Sequence, residues 1–451
     1  MIVHGYFAWM PYVYGRSQAG KEPEGVSGME TFALKGHLLY TRVSSRFECF
    51  PDHYIVCENG CVAGIFPHLP ERYAGVAVED YGNCLIVPGL VDLHLHAPQY
   101  AFRGLGMDLE LLDWLDSHTF LEELRYADPV YAEKAYRLFV RDLQMSMTTR
   151  ACIFATIHAD AALLLMQLLE ETGLVAMVGK VNMDVNSPEN YCETTDDSLA
   201  ATEWWIRESL SRFRNVSPVL TPRFAPVCSG RLMASLGNLQ QKYALSLQSH
   251  LSENPNEVAW VKSLFPDCGC YADVYDRFGL FGSNGPVVMA HCVYSCMEER
   301  ELIRKRGVFI AHCPQSNVNL SSGIAPVKSW LQDGLKVGLG SDIAGGFSLS
   351  GFRGISDAIQ MSKMHWRLLD PDIRPLSFSE AFYLATKGGG AFFGKVGSFE
   401  TGYEFDALVL DDMAWPSLSE LEPESRLERL TYLGDDRCIR KKYVRGRGIF
   451  G

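Results

Sequence analysis

The sequence predicts an α/β fold, a (β/α)8 barrel of the TIM type with a small β-sandwich domain formed by the N- and C-terminal segments. From Leu85 to about Ile343, short apolar runs alternate with longer amphipathic stretches, which is typical of repeated βα units. Eight such runs can be counted, the number that a closed parallel barrel needs. Both ends of the chain instead consist of short strand-like segments joined by turns.

The eight apolar runs are the predicted barrel strands. They cover residues 84–96, 148–158, 174–184, 217–226, 243–253, 285–292, 307–313 and 335–342. Between them, segments such as NEVAWVKSLF, MEERELIRKRG and PVKSWLQDG have an apolar face and are predicted to be surface helices, several ending at Gly. Eight strands in one unit favour the barrel over an open doubly wound sheet, which is the alternative.

The domain organisation follows from this pattern. Residues 1–28 end in the polar stretch SQAGKEPEGVSG and are predicted to be an N-terminal extension. Residues 29–84 supply the first part of the β-domain, 85–390 the barrel, and 391–451 the second part of the β-domain. The two ends are therefore expected to pair with each other.

Composition narrows the class of function. The formal net charge of -13 provides no basic surface for a phosphate backbone, so we expect no nucleic acid partner. No stretch approaches about 18 consecutive apolar residues, and the start lacks the features of a signal peptide, so we expect no membrane association. The 13 scattered cysteines are expected to be reduced thiols of a cytoplasmic protein.

A metal site is indicated by histidines at the ends of the predicted strands. His94 and His96 are separated by one residue in a strand, so both imidazoles point to the same face. His250, His291 and Asp342 each end a later run, at the barrel face where such enzymes place their reactive groups.

Neutral imidazoles and a carboxylate are ligands that Zn²⁺ or Fe²⁺ accepts, and a coordinated water would have its pKa lowered towards 7. Glu253 follows His250 by three residues, where it can carry a proton to or from that water. Considered alone, His250 could simply be a histidine of the core, and Glu253 could simply be a solvated glutamate of a loop. The convergence of five candidate residues on one end of the barrel argues against both.

The run PGLVDLHLHAPQY at 88–100 resembles the first-strand signature of the amidohydrolase superfamily, and its APQY continuation resembles the guanine deaminase family. The likeness continues in order through LLDWLDSHTFLEE, GKVNMD, TPRFAPVCS, QSHLSEN, AHCPQSNVNLSSG and GLGSDIAGG. It covers about residues 85–346. The resemblance implies a metal-dependent hydrolase that acts on C–N bonds of cyclic amidines and converts guanine to xanthine and ammonia in purine catabolism or salvage.

The resemblance also implies roles for individual residues. The set that would bind one metal ion per subunit is His94, His96, His250 and Asp342. Glu253 would be the proton shuttle and His291 would orient the attacking water, with Asp342 helping to deprotonate it. Gln99, Arg223 and Phe224 would bind the purine together with Glu253, since a guanidinium donates to a carbonyl, a phenyl ring stacks on the base, and an amide both donates and accepts. His312 matches no ligand position and is expected to be structural.

Alternatives within the same fold stay open at this point. Related mononuclear deaminases act on 8-oxoguanine, aminotriazines, cytosine or adenosine-like nucleosides, and Gln99, Arg223 and Phe224 are the reason for preferring guanine. A two-metal site is disfavoured because the run 217–226 has no bridging lysine. A non-catalytic scaffold with an amidohydrolase fold is the alternative from another class. Zinc and a homodimer are what the family resemblance implies, although the same ligands accept Fe²⁺.

Overall fold

The structure, a computed structural model, describes residues 31–451, so the predicted extension 1–28 lies outside the described residues. This part of the chain has mixed α/β content. Its strands are β1 (Phe32–Val43), β2 (Arg46–Glu58), β3 (Cys61–Phe66), β4 (Ala77–Pro88), β5 (Leu90–His96), β6 (Thr148–Phe154), β7 (Val175–Gly179), β8 (Val181–Asn182), β9 (Val216–Pro218), β10 (Thr221–Pro222), β11 (Leu247–Leu251), β12 (Val287–His291), β13 (Phe309–His312), β14 (Lys336–Leu339), β15 (Ala407–Leu410), β16 (Ile439–Val444) and β17 (Arg447–Phe450).

Helices separate the strands of the central region. They are α1 (Leu111–Trp114), α2 (Phe120–Leu124), α3 (Pro129–Met145), α4 (Ala159–Thr172), α5 (Thr195–Arg212), α6 (Gly230–Tyr243), α7 (Pro255–Leu264), α8 (Tyr271–Arg277), α9 (Met297–Arg306), α10 (Pro314–Asn319), α11 (Val327–Gln332), α12 (Gly351–Leu368), α13 (Phe378–Tyr383) and α14 (Pro423–Leu433). The helices predicted from NEVAWVKSLF, MEERELIRKRG and PVKSWLQDG are α7, α9 and α11. Gly307 ends α9 with a φ of 66°, which accounts for a glycine at this position.

The central strands form parallel sheets whose carboxyl ends carry the predicted site. One four-stranded sheet has the order β5-β6-β7-β9, the other has β11-β12-β13-β14, and β8 pairs with β10. Backbone hydrogen bonds join the two sheets on both sides. On one side Gln248 donates to the carbonyl of Leu220, and on the other Asp342 donates to the carbonyl of His94.

The two ends of the chain meet in one seven-stranded sheet with the order β17-β16-β15-β4-β1-β2-β3. β15 pairs antiparallel with β4, so the predicted pairing of the chain ends is observed. One face of the sheet carries a separate apolar cluster that includes Leu34, Ile86 and Phe405. Residues of alternate register, such as Leu85, join the large core of the central region instead.

The first predicted run, 84–96, differs from the structure in one respect. It is divided between the two sheets, because its first five residues belong to β4 and β5 begins only at Leu90. Gly89 lies at this crossing and donates its N–H to the carbonyl of Asp406, next to β15. An apolar run alone does not reveal where a strand leaves one sheet and enters another.

Candidate active site

Three of the predicted metal ligands lie on strands of the central sheets, and the fourth follows one. β5 contributes His94 and His96, β11 contributes His250, and Asp342 follows β14. Oδ1 of Asp342 lies 3.1 Å from Nε2 of His94 and 3.5 Å from Nε2 of His96, and Nε2 of His96 lies 3.2 Å from Nε2 of His250. The structure therefore brings all four side chains together.

The protonation of these side chains fits a metal site. Burial lowers the pKa values of His94, His96 and His250, which leaves the imidazoles neutral. Nδ1 of His250 lies 2.6 Å from the carbonyl oxygen of Arg223 and donates to it, so Nε2 of His250 is unprotonated. Nε2 of His94 is buried and forms no hydrogen bond of regular geometry, although Oδ1 of Asp342 lies 3.1 Å away. A divalent cation beside these nitrogen lone pairs and the carboxylate would satisfy them all.

Two further side chains reach the same cluster. Nitrogen, sulfur or oxygen atoms of His291, Cys313 and Asp342 all lie within 4.8 Å of one another, as do those of His94, His250 and His291. Sequence reasoning did not single out Cys313 as a candidate. His312 belongs to none of these groups, and its ring lies 6.1 Å from that of Trp330.

Glu253 lies beside the cluster as an almost completely buried carboxylate. Its Oε1 accepts a hydrogen bond from Oγ of Ser322 at 3.0 Å, and its Oε2 lies 3.4 Å from Nε2 of His291. Burial raises the pKa of Glu253 to about 7, which suits a group that gains and loses a proton near neutrality.

His291 is oriented by a contact that the sequence did not reveal. Nδ1 of His291 lies 3.0 Å from Oδ1 of Asn317, an acceptor, so Nδ1 carries the proton and donates it. Nε2 then faces Oε2 of Glu253 and Oδ2 of Asp342, the latter at 3.7 Å. Burial lowers the pKa of His291, but these two carboxylates outweigh burial and raise it.

The backbone turns sharply where the strands end. Ser252, His291, Cys292 and Asp342 have φ angles of 48°, 72°, 53° and 47°, in the left-handed region that residues other than glycine rarely adopt. Such conformations concentrate at functional sites, where the surrounding structure must hold them. Here they turn the chain directly beside the cluster of ligands.

A cavity opens onto the cluster. Its wall contains the four predicted purine-binding residues, Gln99, Arg223, Phe224 and Glu253. It also contains members of the cluster (His96, His250, His291 and Asp342), Glu257 and apolar side chains (Leu111, Leu112, Trp114, Leu115 and Leu320). Gln99 and Arg223 are each 2% exposed. Apolar walls with a few polar groups are typical of small-molecule sites.

Glu123, at the end of the LLDWLDSHTFLEE segment, is a buried residue that no local pattern identified. Its carboxylate accepts hydrogen bonds from the side chains of Arg223, Gln99 and Tyr191. Glu257 lies on α7 and accepts from the backbone N–H of Glu253 at 2.9 Å. Its position three residues after the helix-capping Asn254 is the one signal in the sequence that could have found it.

Comparison with known proteins agrees with this geometry. A model of the amidohydrolase family matches residues 85–449. The guanine deaminase of Dictyostelium discoideum is 41% identical over 444 residues, which cover 92% of this chain and 97% of that protein. The guanine deaminase of Homo sapiens is 42% identical over 379 residues, covering 80% of this chain and 82% of that one.

Among solved structures, the guanine deaminase from C. acetobutylicum with guanine bound in its active site is 48% identical. It covers 93% of this chain and 100% of that one, with a TM-score of 0.91.

Across the residues that the structure describes here, none of the helices combines the length and apolar character needed to cross a membrane.

Proposed function

The chain belongs to the amidohydrolase family and to its guanine deaminases, and on this premise we propose how its own residues hydrolyse guanine to xanthine and ammonia. The enzyme is a hydrolase that acts on a C–N bond of a small purine base. The roles of the individual residues, given below, are the proposal.

His94, His96, His250 and Asp342 hold one metal ion per subunit, which we take to be zinc. The neutral imidazoles, the carboxylate and the 3.1 Å distance between Nε2 of His94 and Oδ1 of Asp342 support this set. Zn²⁺ bound there would lower the pKa of a coordinated water and make it a nucleophile at neutral pH.

Glu253 moves protons between water and the base. Its Oε2 delivers a proton to ring N3 of guanine, which makes C2 more electrophilic before water adds. His291 orients that water through Nε2, and Oδ2 of Asp342, 3.7 Å from the same nitrogen, accepts a proton from it. Asp342 passes this proton to the 2-amino group, and the C2–N bond breaks with loss of ammonia. Glu253 recovers its proton from the hydroxyl group on C2, which becomes the carbonyl of xanthine.

Arg223, Phe224 and Gln99 hold the base so that C2 faces the cluster. Arg223 donates to the purine carbonyl, Phe224 stacks on the ring, and Gln99 pairs along the ring edge. The observation that carries the proposal is that one cavity has these three side chains, Glu253 and three of the four predicted metal ligands in its wall.

The finer architecture is part of the proposal. The hydrogen bonds that join the two parallel sheets on both sides support a closed (β/α)8 barrel over 85–390. The separate apolar cluster supports a small β-domain formed by both chain ends, and a β-sandwich would require its single seven-stranded sheet to fold back over that cluster. All 13 cysteines lie among the described residues and are free, which supports a cytoplasmic location. The homodimer stays a prediction from the family resemblance.

The proposal is tested by following the ultraviolet loss of guanine with the purified, zinc-loaded protein and by identifying xanthine and ammonia as products. Glu253→Gln keeps the shape of the side chain but removes the proton carrier. We expect kcat to fall by about a hundredfold or more, the usual contribution of a positioned acid–base group, while zinc stays bound.

Two outcomes would contradict this account. Zinc bound stoichiometrically with guanine untouched would remove the guanine assignment, and 8-oxoguanine, aminotriazines, cytosine and adenosine would be the next substrates to assay. Full turnover by Glu253→Gln would remove Glu253 from the mechanism but leave the substrate assignment in place.

A further inference from the structure

We propose that Glu123 is a positioning residue that sets the geometry and the charge of the purine-binding side chains. The inference rests on the proposed function, because it concerns how Arg223 and Gln99 bind the base. Glu123 lies on α2, is 0% exposed, and is separated from Arg223 by 100 positions in the chain. It does not line the cavity, so it acts through the residues that do.

The carboxylate of Glu123 accepts four hydrogen bonds, two at each oxygen. Oε1 accepts from Nη2 of Arg223 at 3.1 Å and from Nε2 of Gln99 at 2.9 Å. Oε2 accepts from Nη1 of Arg223 at 2.5 Å and from the hydroxyl of Tyr191 at 2.8 Å. Both purine-binding side chains are therefore held by one group that can only accept.

This arrangement fixes the direction of the Gln99 amide. Nε2 of Gln99 donates to Glu123, while Oε1 of Gln99 accepts from the backbone N–H of Ala344 at 3.2 Å. A flipped amide would place its oxygen against a carboxylate and its NH2 against a donor. Gln99 thus offers the base a defined pattern of donors and acceptors.

Glu123 also neutralises Arg223. The guanidinium is 2% exposed and lies over the ring of Phe120, with 5.1 Å from its central carbon to the ring centroid. Paired in two places with Glu123, Arg223 presents directed N–H groups without a net charge. Such a pocket favours a neutral base over an anionic one. An anion bound there would find no free positive charge to pair with, because Arg223 is already paired with Glu123.

Glu123→Gln tests this inference because it keeps the shape of the side chain and changes one acceptor into a donor. In one amide orientation the new NH2 faces N–H groups of Arg223 and Gln99. In the other it faces an N–H of Arg223 and the Tyr191 hydroxyl, which would have to turn in order to accept. We expect the KM for guanine to rise by at least about tenfold, with a smaller fall in kcat, as for the loss of hydrogen bonds to a charged group that binds substrate.

Glu122→Gln is the matched control. Glu122 is the neighbouring buried carboxylate, but it accepts from the side chains of Arg125 and Tyr131 and is not among the residues of the cavity wall. Its variant should keep the wild-type KM. An equal rise of KM in both variants would overturn the proposal. It would mean that removing the negative charge of either glutamate on α2 has the same effect.

Two readouts separate positioning from a merely structural role. Arg223→Met removes the main partner of Glu123, so adding Glu123→Gln to it should raise the KM no more than about twofold further. Glu123→Gln also leaves Arg223 with an uncompensated charge. At a pH where xanthine is an anion, xanthine should therefore inhibit the variant more strongly than it inhibits the wild type, when each is compared with guanine. We expect the xanthine inhibition constant divided by the guanine KM to be about tenfold lower in the variant.

The failures are distinguishable. Wild-type protein that binds zinc but leaves guanine untouched contradicts the proposed function. If the wild-type protein turns over guanine and the KM of Glu123→Gln is unchanged, only this inference is contradicted. A rise of KM in Glu123→Gln that is accompanied by a loss of zinc or by a lower melting temperature also contradicts it. A crystal structure of the substrate-free variant adds a test without turnover: we expect the Arg223 guanidinium to be displaced, and an unmoved guanidinium would overturn the proposal.

Discussion

Arg223 connects substrate binding with the metal site at the scale of single residues. Its side chain lines the cavity, and its backbone carbonyl accepts the proton of Nδ1 of His250, 2.6 Å away. The same residue thus helps to bind the base and fixes the protonation of a metal ligand. A shift of the backbone at Arg223 would disturb both.

Asp342→Asn should reduce metal binding, since the amide loses the negative charge that offsets the cation. We expect zinc to fall clearly below one ion per chain and kcat to fall by roughly a thousandfold, because an activated water depends on the metal. Metal analysis and steady-state kinetics measure both. Asp357→Asn on α12, where the carboxylate accepts from Gln315, should retain zinc and activity. Full zinc occupancy in Asp342→Asn would show that this carboxylate is not a ligand.

Asn317→Ala should change kcat more than KM. Without the acceptor at Nδ1, His291 loses the contact that fixes its tautomer, so water between His291 and Glu253 is less well oriented. We expect kcat to fall about tenfold to a hundredfold, as when an outer hydrogen bond to a functional histidine is removed. Nitrogen NMR of the imidazole reports the tautomer directly. A normal kcat together with an altered tautomer would remove His291 from the orientation of water.

The residues of the candidate site differ in how far the sequence could reveal them. His94 and His96 could be predicted because they lie two positions apart in a strand, and Glu253 because it follows a strand end. The partners Asn317, Ser322 and Glu123 could not, because each acts across a contact between segments far apart in the chain. For Glu123 and Arg223 the separation is 100 positions.

At the scale of secondary structure, the ends of the parallel strands decide where chemistry is placed. All eight predicted runs contain strands, because alternating apolar and amphipathic segments report burial directly. The division of the first run between two sheets was missed, since both halves are equally apolar. Gly340, directly after β14, shows how closely the segments approach: an added Cβ would lie 2.8 Å from Sγ of Cys313 and 2.9 Å from Cβ of His94.

Asp436 lies in the short helical turn Asp436–Cys438, which precedes β16, and we expect it to make the free energy of unfolding depend on pH. Burial raises the pKa of Asp436 to about 6, and its Oδ1 has no partner. The folded state therefore binds this proton more tightly than the unfolded state, and the free energy of unfolding falls as pH rises from about 4 to about 6. Asp436→Asn should remove this loss, gaining up to about 2 kcal/mol relative to wild type across that interval.

Chemical denaturation at several pH values measures this difference, and Asp435→Asn is the control of opposite sign. A side-chain hydrogen bond from Arg437 lowers the pKa of Asp435, so wild type gains stability from this residue as pH rises. The Asp435 variant should therefore lose stability relative to wild type as pH rises to about 4, the ordinary pKa of an aspartate, and show little further change above it. A pH-independent effect of Asp436→Asn would show that its carboxyl group titrates normally.

At the scale of the whole molecule, a buried ionic network joins the terminal sheet to the central region. Arg150 on β6 donates to Asp406 at 2.5 and 2.9 Å and to Glu404 at 2.8 Å. Asp406 also accepts from the backbone N–H of Arg445 at 2.9 Å. Side chains of Arg150 and Asp406 are 1% and 0% exposed, so neither charge could exchange its partner for water.

Arg150→Met should destabilise the whole protein by about 3 to 5 kcal/mol, because it leaves the charge of Asp406 buried without its partner. Denaturation followed by tryptophan fluorescence and by circular dichroism should give one common transition. Arg137→Met, which breaks an exposed pair with Glu133 on α3, should cost less than about 1 kcal/mol. Two separate transitions in Arg150→Met would show that the terminal sheet unfolds by itself.

The order of strands in the terminal sheet has a consequence for synthesis of the chain on the ribosome. The hydroxyls of Tyr81 and Tyr443 meet at 2.8 Å although they are 362 positions apart, and β4 finds its neighbour β15 only after the whole central region has emerged. Until then β4 is an edge strand, and its apolar residues Leu85, Ile86 and Val87 lack a strand partner on the side that β15 later covers. This edge therefore stays open to pairing with other strands until translation is almost complete.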